Sequence, residues 1–192
     1  MKILIATNNK HKVKEISSIF ADTGYEIVSP AQISLKVEAE ENGETFAENA
    51  MIKAKAFNQA SGLTSVADDS GLVVYALNGQ PGVYSARYGG EGLDDKGRTA
   101  LLLKNMENVT DRRAAFVCAI AMVFDDGRML TAEGRCEGKI IYDPVGKNGF
   151  GYDPVFVPDG FDKSFAELSE DEKNKISHRG KALEVLKDIL ME

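Results

Sequence analysis

The sequence of 192 residues has few of the side chains that build disulfide or zinc sites. It contains two cysteines, Cys118 and Cys136, two histidines, five prolines and no tryptophan. The cysteines are isolated, so they form neither a CxxC motif nor a disulfide framework, and two histidines are too few for a zinc cluster. We therefore expect two free thiols in a reducing compartment, the cytoplasm.

An excess of positive charge is also absent. The chain has 23 lysines and arginines against 30 aspartates and glutamates, which gives a formal net charge of -7. Nucleic-acid binding depends on the neutralisation of phosphates by Lys and Arg, so we expect no DNA or RNA partner. An acidic protein can still bind a small polyanion where a few cations and a divalent metal are gathered locally.

Long apolar runs are missing as well. The apolar stretch at residues 3–6 lacks the length and the cleavage site of a secretory signal, and the longest run, residues 114–124, is shorter than the about 18 residues that span a bilayer. We expect no export and no membrane partner. Since 43% of the residues are hydrophobic and no repeat occurs, we predict a single domain over residues 1–192.

What the sequence does contain is an alternation of strand and helix patterns. Apolar segments predict strands at residues 2–7, 25–28, 64–67, 72–77, 114–124 and 128–132. Helical periodicity predicts helices at residues 13–20, 46–57 and 94–106, and a last helix with the core stripe Leu183, Leu186 and Leu190. Residues 29–44 are irregular and acidic, and Ser169 with Glu172 forms a helix-capping box. This order predicts a single mixed α/β fold.

The first polar cluster lies where the first strand ends and the first helix begins. It consists of Thr7, Asn8, Asn9, Lys10, His11 and Lys12. Unpaired N–H groups and the helix dipole favour an anion at such a place, and Lys12 adds a full positive charge. We interpret the cluster as a phosphate cradle. In the alternative interpretation Asn9 merely caps the helix and the lysines are solvated.

The second cluster is the pair Asp68 and Asp69 at the end of an apolar strand, followed by Ser70 and Gly71. The acidic stretch upstream supplies further carboxylates from Glu40, Glu41, Glu44 and Glu48. Mg²⁺ prefers oxygen ligands and keeps several waters, so one or two carboxylates plus substrate phosphates complete its shell. Neighbouring strand residues face opposite ways, and we assign Asp69 to the metal. In the alternative interpretation, the pair forms a turn whose carboxylates accept hydrogen bonds from backbone N–H groups.

The third cluster is a glycine-rich segment, Gly146 to Pro154, and the fourth, Lys173 through Ser177-His178-Arg179, lies at the start of the last helix. Glycines on both sides of Phe150 let the backbone approach a flat ligand, so that Phe150 or Tyr152 can stack on a base while Asp153 accepts from it. In the fourth cluster His178 and Arg179 can donate to a keto oxygen, and Lys173 can reach a phosphate or a base. The alternatives are a tight loop with a core Phe, and a charged helix start in which His178 packs or caps.

Taken together and in this order, the clusters resemble the inosine triphosphate pyrophosphatase family, also called Ham1-like. The resemblance covers essentially the whole chain. It is carried by Thr7-Asn8-Asn9 with Lys12 and Glu15, Thr45-Phe46-Ala47-Glu48-Asn49-Ala50, Ala67-Asp68-Asp69-Ser70-Gly71-Leu72, Pro81-Gly82-Val83-Tyr84-Ser85-Ala86-Arg87-Tyr88, Phe150-Gly151-Tyr152-Asp153-Pro154 and Ser177-His178-Arg179-Gly180. One departure is Asn8, where many relatives carry glycine.

The resemblance implies an elongated α/β fold with a mixed central sheet and two lobes around a central cleft, usually as a homodimer. It implies a Mg²⁺-dependent enzyme that hydrolyses the non-standard purine nucleotides ITP, dITP and XTP to the monophosphate and pyrophosphate. By matching position, Asp69 is the general base, and the metal is held by Asp69 with Glu40 or Glu41. The remaining matches imply substrate contacts from Thr7, Asn8, Asn9, Lys10, His11, Lys12, Ser70, Phe150, Gly151, Tyr152, Asp153, Lys173, His178 and Arg179.

Two alternatives to this function stay open. A nucleotide-binding module without turnover would use the same loops and would not need Asp69. A pyrophosphatase for modified pyrimidine or methylated nucleotides, as in the related Maf-like fold, would prefer UTP or dTTP to ITP. Donors aimed at O6 of the base would instead favour hypoxanthine and xanthine over adenine, which presents an amino group there.

Overall fold

The computed structural model describes residues 2–191, with Met191 described by its backbone alone. The strands are β1 Lys2–Ile5, β2 Glu26–Val28, β3 Thr64–Val74, β4 Arg113–Val123, β5 Met129–Ile140 and β6 Phe156–Pro158. The α-helices are α1 Lys10–Phe20, α2 Phe46–Ser61, α3 Asp95–Asn105, α4 Glu170–Ile176 and α5 His178–Met191. Among these described residues no helix is long and apolar enough to cross a membrane.

The strands form one mixed sheet in the order β2-β1-β3-β4-β5-β6. β1 is parallel to both of its neighbours, β2 and β3, whereas β5 and β6 are antiparallel to each other. Parallel strands need crossover connections. Along the chain, α1 lies in the connection from β1 to β2, and α2 lies in the connection from β2 to β3. The mixed α/β class predicted from the sequence is confirmed.

By its internal contacts the chain divides into two compact units. The first consists of residues 2–69, Cys118–Gly134 and residues 179–191, and the second of Ser70–Val117 and Arg135–His178. Each unit has an apolar core of its own.

In the first unit the sheet is covered by helices on both faces. Ile3 and Ile5 of β1 pack with residues of α1 and α5, whereas Leu4 packs with Ala54 and Phe57 of α2. β4 repeats this alternation over its second half, where both faces are apolar and buried. This explains why residues 114–124 read as a continuous apolar run, as expected for a strand covered on each side.

α2 has clearly defined ends, which fix the position of the side chains along it. It begins with a capping box in which Thr45 accepts from the N–H of Glu48, and the Glu48 carboxylate accepts from the N–H of Thr45. It ends at Gly62, whose left-handed conformation (φ 69°) lets its N–H bond to the carbonyl of Asn58.

The second unit is built around aromatic rings. Phe116 of β4 lies edge-on to Phe156 of β6, with ring centroids 4.8 Å apart, and stacks with Phe165 at 5.8 Å. Leu102 of α3 and Met106, the residue after that helix, belong to the same core. Edge-on and offset contacts of this kind add to the apolar burial of each ring.

The predicted break at Asp68 and Asp69 is wrong, and so is the alternative of a turn. β3 runs without interruption from Thr64 to Val74, where two short strands at residues 64–67 and 72–77 were expected. Two carboxylates normally break a buried strand because unpaired charge is costly in the interior. Here both carboxylates are ion-paired to buried or partly buried cations, so the strand continues through them.

Two further segments differ from their predictions. β5 extends to Ile140 instead of ending near residue 132, because its buried positions are small residues that give a weak apolar signal: Ala132, Gly134, Cys136 and Gly138. Of the fourth cluster, His178 and Arg179 begin the last helix, α5, as predicted, whereas Lys173 lies in a separate preceding helix, α4. The Ser169–Glu172 capping box is confirmed and starts α4. The other predicted strands and helices are confirmed, with ends shifted by a few residues.

Candidate functional site

The start of α1 displays the first polar cluster at the surface. Asn8, Asn9, Lys10 and His11 are exposed. Asn9 caps the helix, since its Oδ1 accepts from the N–H of His11 at 2.9 Å and of Lys12 at 3.4 Å. The cap at Asn9 is therefore confirmed, but Lys12 is ion-paired to Asp68 and not solvated, and phosphate binding by these residues stays a prediction.

Lys12 points from this helix to Asp68, which lies at the centre of a buried ion network. The Lys12 Nζ lies 3.0 Å from Asp68 Oδ2. The same oxygen accepts from Arg179 Nε at 3.0 Å and Nη2 at 2.9 Å, and Arg179 Nη1 donates to Glu15. Two cations thus face two carboxylates, and Arg179 is only 2% exposed. Arg179, expected to contact substrate, has its guanidinium engaged within the protein, and its substrate contact stays a prediction.

The network keeps Asp68 and Arg179 ionised. Burial alone raises the pKa of Asp68, but Lys12, Arg179 and Lys53 outweigh it and hold the pKa far below its usual range. Burial conversely lowers the pKa of Arg179, and the Asp68 and Glu15 carboxylates outweigh that effect and raise it. Asp68 is therefore a fixed negative charge with its cations already in place.

The neighbouring Asp69 has a different environment. Its Oδ1 lies 3.4 Å from Lys53 Nζ, and the same ammonium donates to Glu41 Oε2 at 2.9 Å. Its Oδ2 is buried and has no hydrogen-bond partner among residues 2–191. Burial raises the pKa of Asp69 although Lys53 and Lys12 oppose it. Asp69 thus retains an acceptor atom that the described part of the protein does not use.

The ammonium of Lys53 joins the two carboxylates that were predicted to meet at a metal. Lys53 is 9% exposed. Burial lowers its pKa, but Asp68, Asp69 and Glu41 outweigh that and raise it, so the side chain is charged. Glu41 is half-buried, whereas Glu40 is exposed. Within residues 2–191 no group of three or more His, Cys, Asp or Glu side chains converges as a complete metal site.

In the second unit, Asp153 organises the glycine-rich segment. Its Oδ2 accepts from Lys173 Nζ at 2.7 Å and from the N–H of Phe150 at 2.9 Å. Gly149 has φ 72°, and a Cβ there would lie 2.0 Å from Asp153 Oδ2, so glycine is required for this approach. The Lys173 ammonium lies 5.0 Å from the centroid of the Phe150 ring and 5.7 Å from that of Phe165.

Of the other predicted residues of this unit, His178 and Tyr152 are buried, whereas Ser70 and Gly151 are partly buried. His178 stacks on Phe116, with centroids 4.8 Å apart and ring planes 12° from parallel. Tyr152 is 5% exposed, donates its hydroxyl to the Ser85 carbonyl at 2.8 Å, and has its pKa raised by burial. Phe150 is half-buried. Of the two aromatic residues proposed for base stacking, Phe150 is therefore the more accessible.

Lys53 had no sequence prediction, although a signal for it exists. Ala50, Lys53, Ala54 and Phe57 recur at helical spacing, so a lysine occupies the buried stripe of α2. A cation on an apolar stripe requires a buried anion, because an unpaired buried charge is costly. Asn49 lies on the same buried side and also had no prediction.

Comparison with known proteins identifies the family to which these residues belong. The model of the Ham1 family matches residues 3–189. The chain belongs to the Ham1 family. A Ham1-family relative from Desulforamulus reducens named dITP/XTP pyrophosphatase is 49% identical over 192 residues, which cover 99% of this chain and 96% of the relative. A Leptospira interrogans protein of the same name is 46% identical over 187 residues, 96% of this chain and 94% of that protein.

Solved Ham1 structures have the same fold as this chain. The Ham1 protein of Staphylococcus aureus superposes with a TM-score of 0.89 at 43% identity, and the HAM1 protein of Coxiella burnetii with a TM-score of 0.91 at 40% identity. In both cases the match covers 100% of this chain and 98% of the other. The family and the fold indicated by the sequence motifs are confirmed.

Proposed function

We propose that this chain is a nucleoside triphosphate pyrophosphatase that hydrolyses ITP, dITP and XTP to the monophosphate and pyrophosphate. Relatives of nearly the same length carry the name dITP/XTP pyrophosphatase. The observation that carries the proposal is the environment of Asp69, a buried carboxylate with a raised pKa and an oxygen without a partner among the described residues. Such a group is suited to accept a proton from an attacking water.

A divalent cation, Mg²⁺, fits the first unit. Glu41 and Asp69 both approach the single ammonium of Lys53, so their oxygens already converge on one positive charge. The buried Asp69 Oδ2 adds a further acceptor. One or two carboxylates, with waters and substrate phosphates, are sufficient ligands for Mg²⁺. When bound, the metal orients the attacking water and neutralises charge on the phosphates.

The protein's own groups then have distinct roles. Asp69 takes the proton of the water that attacks the α-phosphorus, because its Oδ2 is an acceptor without a partner among residues 2–191. Lys12 and the positive end of the α1 dipole supply positive charge to the departing pyrophosphate. Asp68 does not take the proton, because its ion pairs hold its pKa far below the usual range and make it a weak base. It holds Lys12 in place.

The second unit supplies groups for a purine base. Phe150 offers a ring for stacking, and Asp153 fixes both its backbone and the Lys173 ammonium. We favour His178 as the donor to the 6-keto oxygen, because Arg179 is engaged by Asp68 and Glu15. Adenine presents an amino group at that position and leaves a donor unpaired, a loss of about 1–3 kcal/mol.

The family resemblance further supports a homodimer, which sedimentation at several concentrations would test.

The test is an assay of pyrophosphate release from ITP, dITP, XTP, GTP, ATP, UTP and dTTP, with Mg²⁺ and with a chelator. We expect rapid release from ITP, dITP and XTP with Mg²⁺ and none with the chelator. Faster release from UTP or dTTP would support the Maf-like alternative. Tight binding of ITP without release from any nucleotide would support a binding module and refute the enzyme.

A further inference from the structure

The loop that carries Glu41 is fastened to the first turn of α2 by a buried amide. Asn49 is 1% exposed, and its Oδ1 accepts from the N–H of Gly43 at 2.8 Å. The contact is close on the backbone side as well, since a Cβ at Gly43 would lie 2.7 Å from the Glu48 Cβ and 2.8 Å from Asn49 Oδ1. Gly43 therefore rests directly on the helix, two residues after Glu41.

Capping of α2 does not explain this contact. The helix start is already satisfied by the reciprocal bonds of Thr45 and Glu48, and Glu48 also accepts from the N–H of Glu44 at 2.7 Å. Asn49 lies one position beyond the capping box. A buried amide side chain is costly unless it is hydrogen-bonded, so its presence beside Ala50 indicates a role in holding the loop.

Asn49 and Lys53 bind the same loop from one face of α2. They are four residues apart, which places their side chains next to each other on a helix. Asn49 holds the loop backbone at Gly43, while Lys53 holds the Glu41 carboxylate and Asp69. The backbone bond limits how far Glu41 can move away from Asp69.

We propose that Asn49 is a positioning residue for the divalent-metal site. By fixing Gly43 it keeps the Glu41 carboxylate within reach of Asp69, so that the metal meets two ligands already in place. The inference rests on the proposed function, because it takes Glu41 and Asp69 as the metal ligands. Asn49 itself is too deeply engaged with the loop backbone to act as a ligand.

Direct metal binding tests the proposal. Binding of Mn²⁺ to the full chain without substrate is measured by electron paramagnetic resonance for the parent, Asn49→Ala, Asn58→Ala and Glu41→Gln. Asn58 is the matched control, since it lies on the same helix and its side chain donates to the carbonyls of Leu63 and Phe124. We expect Asn49→Ala to weaken Mn²⁺ binding by about 10- to 100-fold, as for other residues that orient metal ligands, and Asn58→Ala to leave it unchanged.

A kinetic measurement separates positioning from general damage. The Mg²⁺ concentration for half-maximal ITP hydrolysis should rise in Asn49→Ala while kcat at saturating Mg²⁺ is retained. Gly43→Ala is the second variant if Asn49→Ala does not fold, because its Cβ displaces the same loop without removing a polar group. It should weaken Mn²⁺ binding in the same direction.

The same measurements distinguish a failure of the positioning role of Asn49 from a failure of the proposed metal site. If Glu41→Gln weakens Mn²⁺ binding but Asn49→Ala and Gly43→Ala bind like the parent, the positioning role is refuted and the proposed metal site stands. If Glu41→Gln binds Mn²⁺ like the parent, the metal site is wrong and the role of Asn49 is refuted with it.

Discussion

In the first unit, charge is concentrated on a few buried groups, with Asp68 and Asp69 side by side and lysine and arginine on either side. In the second unit, one buried ion pair, Asp153 with Lys173, lies among aromatic rings. The first arrangement suits phosphates and a metal, whose recognition is electrostatic. The second suits a flat ring, whose recognition depends on stacking and a few directed hydrogen bonds. The two units thus suit ligand groups of different chemistry.

The contrast is sharper still between the two adjacent aspartates. Asp68 receives hydrogen bonds from two cations on one oxygen, and its pKa is lowered. Asp69 shares one ammonium with Glu41, keeps one oxygen without a partner among residues 2–191, and has its pKa raised. The same residue type in one strand therefore has a structural environment at one position and, under the proposed function, a chemical role at the next.

Asp69→Asn should produce the largest effect on activity. The amide cannot accept the water's proton and is a poorer metal ligand, so kcat for ITP should fall by about 10²- to 10⁴-fold, the usual contribution of a general base. The free energy of unfolding should change little, because burial disfavours the Asp69 charge that the substitution removes. Pyrophosphate release and urea denaturation measure the two quantities.

Asp68→Asn should reverse this pattern and act mainly on stability. The substitution removes one of the two carboxylates that face Lys12 and Arg179. Arg179 then stays buried, and Glu15 is the one carboxylate of this network that still pairs with it. Breaking a buried ion pair on one side typically costs about 3–5 kcal/mol. Urea denaturation of Asp68→Asn beside Asp69→Asn checks this. If Asp68→Asn were as stable as the parent while Asp69→Asn unfolded, the division between structural and chemical aspartate would be wrong.

The part of the site that could be predicted from sequence is the part with local signals. Asn9 follows a strand and precedes a helical stripe, and glycines flank Phe150, so both segments are recognisable without knowledge of the fold. Strand alternation indicated that only one of the two aspartates faces a given ligand, but not which one, and the choice of Asp69 stays a prediction. The different partners of the two carboxylates fit that reasoning.

The part that could not be predicted depends on contacts between distant segments. Lys12, Asp68 and Arg179 come from α1, β3 and the start of α5, and no local pattern indicates that they neutralise one another. For the same reason β3 was expected to break at its aspartates, since their cations are remote in sequence. Lys53 was detectable in principle, because a lysine within an apolar helical stripe implies a buried anion elsewhere.

Phe150→Leu should give the smallest of these effects and tests the aromatic side of the comparison. The substitution removes the ring but keeps the backbone N–H that donates to Asp153. Loss of base stacking is worth about 1–3 kcal/mol, so KM for ITP should rise by roughly tenfold or more while kcat is retained. Phe161→Leu is the control, since Phe161 is an exposed phenylalanine of the same unit. An unchanged KM in Phe150→Leu would mean that the base does not stack on this ring, and that the second unit recognises its ligand through Lys173 and His178.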